Sequence, residues 1–388
     1  MIEFDQSPGY FSTTIKVIGV GGAGGNAINT MIDNGIDGVE FIVANTDIMD
    51  LKKSKAKIKV QLGQKITKGH GTGNNPEIGK ESALESEEAI RKALDGADML
   101  FIAAGFGGGT GTGAALVIAQ IAKEMDILTL GIFTSPFEKE GLRKKQNYEI
   151  GLGNIREFID SYIIIPNDKL INVCADMLIF DVFKKADSII YDAAKAMSDI
   201  INRSGYINVD FADVKTVLSQ MGYALMGTGI CEEEDRAVNA AKMAISNPLL
   251  DEISLSGCKA ILMNITVGND MKFTEFEEIM SVVNNETGPS ANIITGLVID
   301  EQMTGKICVT IFATGLVNGQ EHNIPNLIHY KNRDDSNEEL TEIFKRIGTN
   351  KKLDIDNPDT NHSHLNQNKE TSKSEDIGIP AFMRRFSD

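Results

Sequence analysis

Five short apolar runs punctuate the first half of the chain: IKVIGV (15–20), VEFIVA (39–44), MLFIAA (99–104), ILTLGIF (127–133) and YIIIP (162–166). Helical patterns separate them, and the alternation predicts βαβ units around a parallel sheet buried on both faces. Asn75-Pro76, followed by EIGKESALESEEAIRKAL (77–94), carries an N-cap residue, a proline at the first helical position and early acidic residues, so a helix is predicted to start there. From Asp187 the pattern sets Ile189, Ile190, Ala193, Ala194, Met197, Ile200 and Ile201 on one stripe, which predicts a long helix ending near Gly205. Beyond it, helical patterns at about 211–221, 233–246 and 273–284 mix with β-rich runs at 259–267, 291–299 and 306–313.

The expected fold class is therefore α/β: a doubly wound parallel-sheet domain over 15–180, a central helix over 181–205 and a smaller mixed α/β domain over 206–317. Residues 1–14 read as an N-terminal extension. After Leu316 the composition turns to Asn, Asp, Lys, Ser and Glu, so 318–376 read as a disordered linker that buries too little surface to offset its ordering entropy. Apolar anchors return in DIGIPAFMRRFSD (376–388), so Ile377–Phe386 read as a peptide that docks in a partner's groove.

The formal net charge of −17 argues against binding nucleic acid or an anionic bilayer through the general surface. Any anionic ligand must be held by local features. The opening MIEFDQSPGYFSTT lacks the basic start and apolar middle of a secretory signal, and the run 99–122 is interrupted by glycines, so a cytoplasmic chain without membrane insertion is expected. The four cysteines (Cys174, Cys231, Cys258, Cys308) form no C-x-x-C pair, which leaves no zinc or disulfide pattern; no protein-held metal site is expected.

Two glycine loops carry the candidate chemistry. GVGGAG (19–24) satisfies G-x-G-x-x-G after a strand and before a helix, and Asp47 stands near the position of a ribose-binding acid, so an NAD-dependent oxidoreductase is a formal alternative. GFGGGTGTG (105–113) is the more unusual object, because such glycine density between a buried strand and a helix means that backbone must approach a ligand. At one sheet edge the two loops would form a cradle of exposed amides for phosphate, with Thr110 and Thr112 adding hydroxyls. No G-x-x-x-x-G-K-[ST] motif is present.

GGGTGTG (107–113) resembles the signature of the tubulin and FtsZ superfamily, and the chain is more similar to its bacterial FtsZ members than to eukaryotic tubulins. Matching motifs follow in order: GGAGGNA (21–27), NTD (45–47), GTGNNPEIG (71–79), FEKEG (137–141), IPNDKL (165–170), NVDFADV (208–214), MGYALMGTG (221–229) and IPAFMRR (379–385). The resemblance covers about 12–316 and the last dozen residues.

It implies a GTPase that binds GTP and GDP and polymerises head to tail into the cytokinetic ring filament of a dividing bacterium. By the same resemblance, Gly21, Gly22, Asn26, Asn45, Gly71, Thr72 and Gly73 and the loop Gly107, Gly108, Gly109, Thr110, Gly111, Thr112 and Gly113 lie along the nucleotide. Asn26, Asn167, Phe183 and Asp187 take the base and sugar, with Glu140 near the ribose. Asp187 suits guanine, since a carboxylate accepts from both N1–H and the exocyclic amine. Lys144 stands where the family usually has arginine, which keeps the charge and loses the bidentate fork. Asp210, Asp213 and Asn208 enter the pocket of the next subunit and polarise the attacking water, with Mg²⁺ screening the charge. A second reading of Asp210 and Asp213, as N-cap and N3 acid of the following helix, is compatible with the first. The implied partners are further copies of the chain and, through Ile377–Phe386, membrane-associated division adaptors at mid-cell.

Overall fold

The computed structural model describes residues 13–315, apart from 174–177, 204, 205, 208, 220, 221, 247–254, 257 and 289. The extension, the linker, the terminal peptide, Asn208 and Cys174 thus lie outside the described residues, wholly or nearly so. Among those described, the strands are β1 (Ile15–Val20), β2 (Val39–Asn45), β3 (Ile58–Gln61), β4 (Met99–Gly105), β5 (Leu128–Ser135), β6 (Ser161–Pro166), β7 (Gly222–Cys231), β8 (Ala260–Val267), β9 (Asn292–Ile299) and β10 (Ile307–Thr314). The first helices are α1 (Gly21–Asn34), α2 (Ile48–Lys53), α3 (Gln64–Thr67), α4 (Pro76–Glu85), α5 (Glu87–Leu94), α6 (Thr110–Glu124) and α7 (Leu142–Ile155). They are followed by α8 (Asn167–Val173), α9 (Ile179–Asn202), α10 (Phe211–Ser219), α11 (Arg236–Ile245) and α12 (Phe273–Thr287).

The strands form one sheet in the order β3-β2-β1-β4-β5-β6-β7-β10-β8-β9. The first six are parallel, and the apolar runs are explained by cover on both faces. Along β1, Ile15 and Val17 enter the core shared with α1 and α9, while Ile18 and Val20 enter the core shared with α4, α5 and α6. Lys16 sits buried in the same strand because its ammonium caps the end of α5, donating to the carbonyls of Ala93 (3.1 Å) and Asp95 (2.7 Å) and pairing with Glu40. Chain order reverses across β1, between β2 and β4, which opens a crevice at the carboxyl ends of β1 and β4.

Two strands were not legible as strands in the sequence. β3 is short, and β7 is glycine-rich. A methyl built on Gly229 would stand 2.1 Å from the Ala240 carbonyl oxygen, so glycine there lets α11 lie directly on β7. β7 joins the two halves of the sheet by pairing with β6 over Ser161↔Gly222, Tyr162↔Tyr223 and Ile163↔Ala224, so the expected smaller α/β domain continues the sheet of the first. The helix started at Pro76 stops at Glu85, because Ser86 turns away to accept the Gly63 N–H on its hydroxyl. α9 begins at Ile179, eight residues before the striped segment, and stops at Arg203, which pairs with Asp199, Asp300 and Asp37. No helix among the described residues is long and apolar enough to cross a membrane.

Candidate functional site: a glycine-walled cleft

At the switch in strand order the chain leaves β1 through Gly21, whose φ of +72° favours glycine, and leaves β4 through residues 105–109. α1 and α6 both start without a side-chain cap, so their first amides, which have no intrahelical acceptor, are left to meet something else. Several glycines in this region are demanded by close approach, Gly109 and Gly113 most tightly. A methyl on Gly109 would stand 2.1 Å from Thr72 Oγ1, and one on Gly113 would stand 1.9 Å from the Pro76 carbonyl oxygen. Those contacts press α6 onto α4 and fold the 71–75 loop over the 105–109 loop.

Between them lies a cleft of about 370 Å³. Gly22 and Asn26 line it from α1, and Gly108, Gly109, Thr110 and Gly111 from the second loop. Thr72 and Asn74 close it on one side. Glu140, Asn167, Phe183 and Asp187 form the far end, while Lys144 lies beside the second loop, its carbonyl oxygen 3.0 Å from where a methyl on Gly107 would be.

That far end has unmet polar capacity. Asn167 Oδ1 is buried without a hydrogen-bond partner. Asp187 has no bonded partner among the described residues, and burial pushes its carboxyl up to about 7. Unpaired buried polar groups are costly, so both mark places where a ligand completes the protein. Phe183 is half exposed, its ring edge-on to Phe137 at 5.9 Å, which leaves a face for a flat ligand. Glu140 is already engaged: it accepts the Phe137 N–H at 2.9 Å and pairs with Lys144.

Other expected site residues stand behind the lining. Thr112 is buried and accepts the Gly107 N–H on its hydroxyl at 2.9 Å, so it shapes the loop from beneath. Gly107 and Gly113 likewise belong to the packing layer, Gly107 with φ +101°. Asn45 is buried and accepts the Asp47 N–H at 3.1 Å. Gly71 and Gly73, with φ of +82° and +58°, flank Thr72 outside the lining, and Gly21 lies just beneath Gly22. Asp47, the ribose-binding acid of the oxidoreductase alternative, is spent as the N-cap of α2, accepting from Met49 N–H (2.8 Å) and Asp50 N–H (3.4 Å). Asn74 was missed, since its place in the cleft comes from loop geometry and not from residue type.

Asp210 and Asp213 are elsewhere. Asp210 accepts the Asp213 N–H at 2.8 Å at the start of α10, the N-cap arrangement legible in the sequence. Val209 and Ile200 meet beside Gly296, which holds this segment at the carboxyl end of α9. Asp187 faces the cleft from the first half of α9, and the fifteen residue steps from Asp187 to Asn202 span about 22 Å at 1.5 Å per residue. Among the described residues no group of three His, Cys, Asp or Glu side chains could hold a metal.

Sheet order, switch-point cleft and paired uncapped helices define a nucleotide-binding α/β protein. The family model described as "Tubulin/FtsZ family, GTPase domain" matches residues 14–175, and "FtsZ family, C-terminal domain" matches 222–317. The cell division protein FtsZ of Wigglesworthia glossinidia brevipalpis is 42% identical over 376 residues, covering 96% of this chain and 97% of that one. That of Pseudomonas aeruginosa is 48% identical over 306 residues, covering 79% and 78%. A solved FtsZ dimer of M. jannaschii superimposes with a TM-score of 0.74 at 39% identity, over 78% of this chain and 88% of that one. The chain belongs to the Tubulin/FtsZ family.

Proposed function

We propose that each molecule binds GTP in the glycine-walled cleft and that the acidic pair of the next molecule completes hydrolysis. The chain is a polymerising GTPase of cell division, a reading supported by its GTPase and C-terminal family domains and its FtsZ relatives. The oxidoreductase alternative has no support.

One observation carries the in-trans reading: Asp210 and Asp213 sit at the opposite end of α9 from the cleft, and the two acids of its described lining are Glu140, held by Lys144, and Asp187 on α9. Head-to-tail stacking is a heterologous contact that makes an open filament when its rotation does not close, and it brings one end of α9 over the other end's cleft in the neighbour. The triphosphate rests on the amides of Gly108–Gly111 and the N-termini of α1 and α6, while Asn167, Phe183 and Asp187 receive guanine and Asn26 and Glu140 the sugar. Asp210 and Asp213 orient a water for in-line attack on the γ-phosphorus; the bond to the bridging oxygen breaks, leaving GDP and inorganic phosphate. Asn208 belongs to the same loop and shares that role. The Thr72 and Thr110 hydroxyls of the lining would hold a hydrated Mg²⁺, which would supply charge neutralisation on the phosphates. Keeping the carboxylates on a different molecule spares the resting site their repulsion and ties turnover to assembly.

Ile377–Phe386 engage membrane-associated adaptors that place the filament at mid-cell. GTP turnover measured against protein concentration, with polymer sedimented from the same tubes, tests the scheme. Turnover per molecule is expected to collapse below a threshold concentration; a constant value at all dilutions would refute the shared site.

A further inference from the structure

Residues 51–76 hold seven lysines and no acid, in a chain whose formal charge is −17. All seven lysines are exposed, and they are spread over α2, the turn after it, β3 at the edge of the sheet, and α3 with its C-cap. Three are engaged within the molecule: Lys53 pairs with Asp50, Lys55 pairs with Asp33, and Lys59 Nζ donates to the Ser54 carbonyl. Lys52, Lys57, Lys65 and Lys68 have no ion pair or side-chain hydrogen bond among the described residues. Glu85, beside α3, is already spent on the Lys65 and Ile66 amides at 2.9 and 3.2 Å. Apolar side chains stand among the lysines: Met49 on α2 is 58% exposed and Ile66 on α3 43%. The two helices adjoin, because the Ile48 N–H donates to the Gly69 carbonyl at 3.2 Å.

Lysine on a sheet edge blocks pairing with another edge. That accounts for Lys57 and Lys59 but not for Lys52, Lys65 and Lys68, which lie off the strand. Residue type narrows the partner. The stretch has no arginine and no Phe, Tyr or Trp, so it offers neither the bidentate fork that grips a carboxylate or a nucleic-acid phosphate nor a ring on which a base stacks. Flexible point charges around exposed aliphatic side chains suit a diffuse layer of anionic headgroups, with Met49 and Ile66 reaching the acyl boundary. We infer that this lysine edge seats the molecule peripherally on an anionic phospholipid surface. Acids elsewhere on the chain do not prevent it, since their field decays over about 8 Å at physiological salt. Each free lysine is worth roughly fivefold in partitioning, which is weak for one molecule and strong along a filament that repeats the patch.

Flotation of the full chain, assembled with GTP at low salt, on phosphatidylcholine vesicles with and without phosphatidylserine tests the seat. The wild type is expected to rise with the phosphatidylserine vesicles alone and to be released by salt. Combining K52Q, K57Q, K65Q and K68Q should lower partitioning about 10²-fold, with GTP turnover and unfolding temperature unchanged. The matching K52R, K57R, K65R and K68R set keeps the charge and should bind as wild type. R384Q with R385Q, in the apolar and basic terminal peptide, should also float as wild type. Flotation lost with the terminal arginines and kept in the glutamine set, equal on both vesicles, or absent from the wild type would overturn the inference. So would an arginine set that fails to bind, or a glutamine set that sediments less polymer without lipid, which would assign these lysines to contacts between copies.

Discussion

The two halves of the sheet handle polar groups differently. In the β1–β6 half the strands are parallel, and at their carboxyl ends stand helix N-termini without side-chain caps, an Asn167 Oδ1 unpartnered among the described residues, a half-buried Asp187 and the lining residue Asn74. In the β7–β10 half most polar groups are matched: Arg236 reaches Asp270 and Glu275, Asp300 caps the turn that follows β9, and Asp210 caps α10. Asn264 Oδ1 is the exception there. The first half is built as a receptor with unmet valences; the second presents carboxylates with no cleft of their own to serve. On the proposed scheme, neither half completes the active site until the other half of a second molecule arrives.

The sharpest way to break that contrast is to remove a carboxylate. Asp213→Ala is expected to leave GTP binding intact and lower turnover about 10²–10⁴-fold. Mixed one to one with Asp187→Ala, which is weak in binding, it should regain measurable turnover, because each variant supplies what the other lacks. No recovery in the mixture would mean that cleft and carboxylate act within one chain.

Next in size is the packing beneath the receptor. Gly113→Val drives a side chain into the Pro76 carbonyl and should destabilise the fold by about 3 kcal/mol in thermal unfolding. Gly22→Ala meets nothing closer than Asp50 Oδ2 at 3.7 Å, so it should unfold at the wild-type temperature while weakening nucleotide binding. Equal thermal effects would erase the distinction between glycines of the packing layer and those of the lining.

The smallest effect is a titration. Burial raises the Asp187 carboxyl to about 7, against about 3.9 in an unfolded chain. The folded, nucleotide-free protein therefore holds this proton more tightly; the associated stability is full below about pH 4 and is lost as pH rises through 7. Guanine donates to the ionised form, so GTP affinity should climb from pH 6 to pH 8 with release of a proton. In Asp187→Asn both slopes should flatten in calorimetry. A pH-independent wild-type affinity would place the base elsewhere.

Legibility in the sequence followed locality. β4 was readable because a strand covered on both faces is apolar along its length, β1 because Lys16 alone interrupts that pattern, and the Asp210 N-cap because its partner lies three residues away. β7 was not, since its Gly229 answers to Ala240 of α11, eleven residues further along the chain and visible only in three dimensions. The same holds within the cleft. Residue type and motif pointed to Thr110 and Asp187, which do line it, while Thr112 turned inward to hold Gly107 and Asn74 came forward through three left-handed residues. Which face of a loop a side chain takes is decided by the backbone, and nothing in residue type announces it.

A cradle made of main-chain amides has a consequence for mutational tolerance. Exchanging a lining side chain such as that of Lys144 is expected to leave the amides of residues 108–111 in place. Adding one carbon at position 109 or 113 displaces them all. Around this site, drift is policed by volume far more than by chemistry.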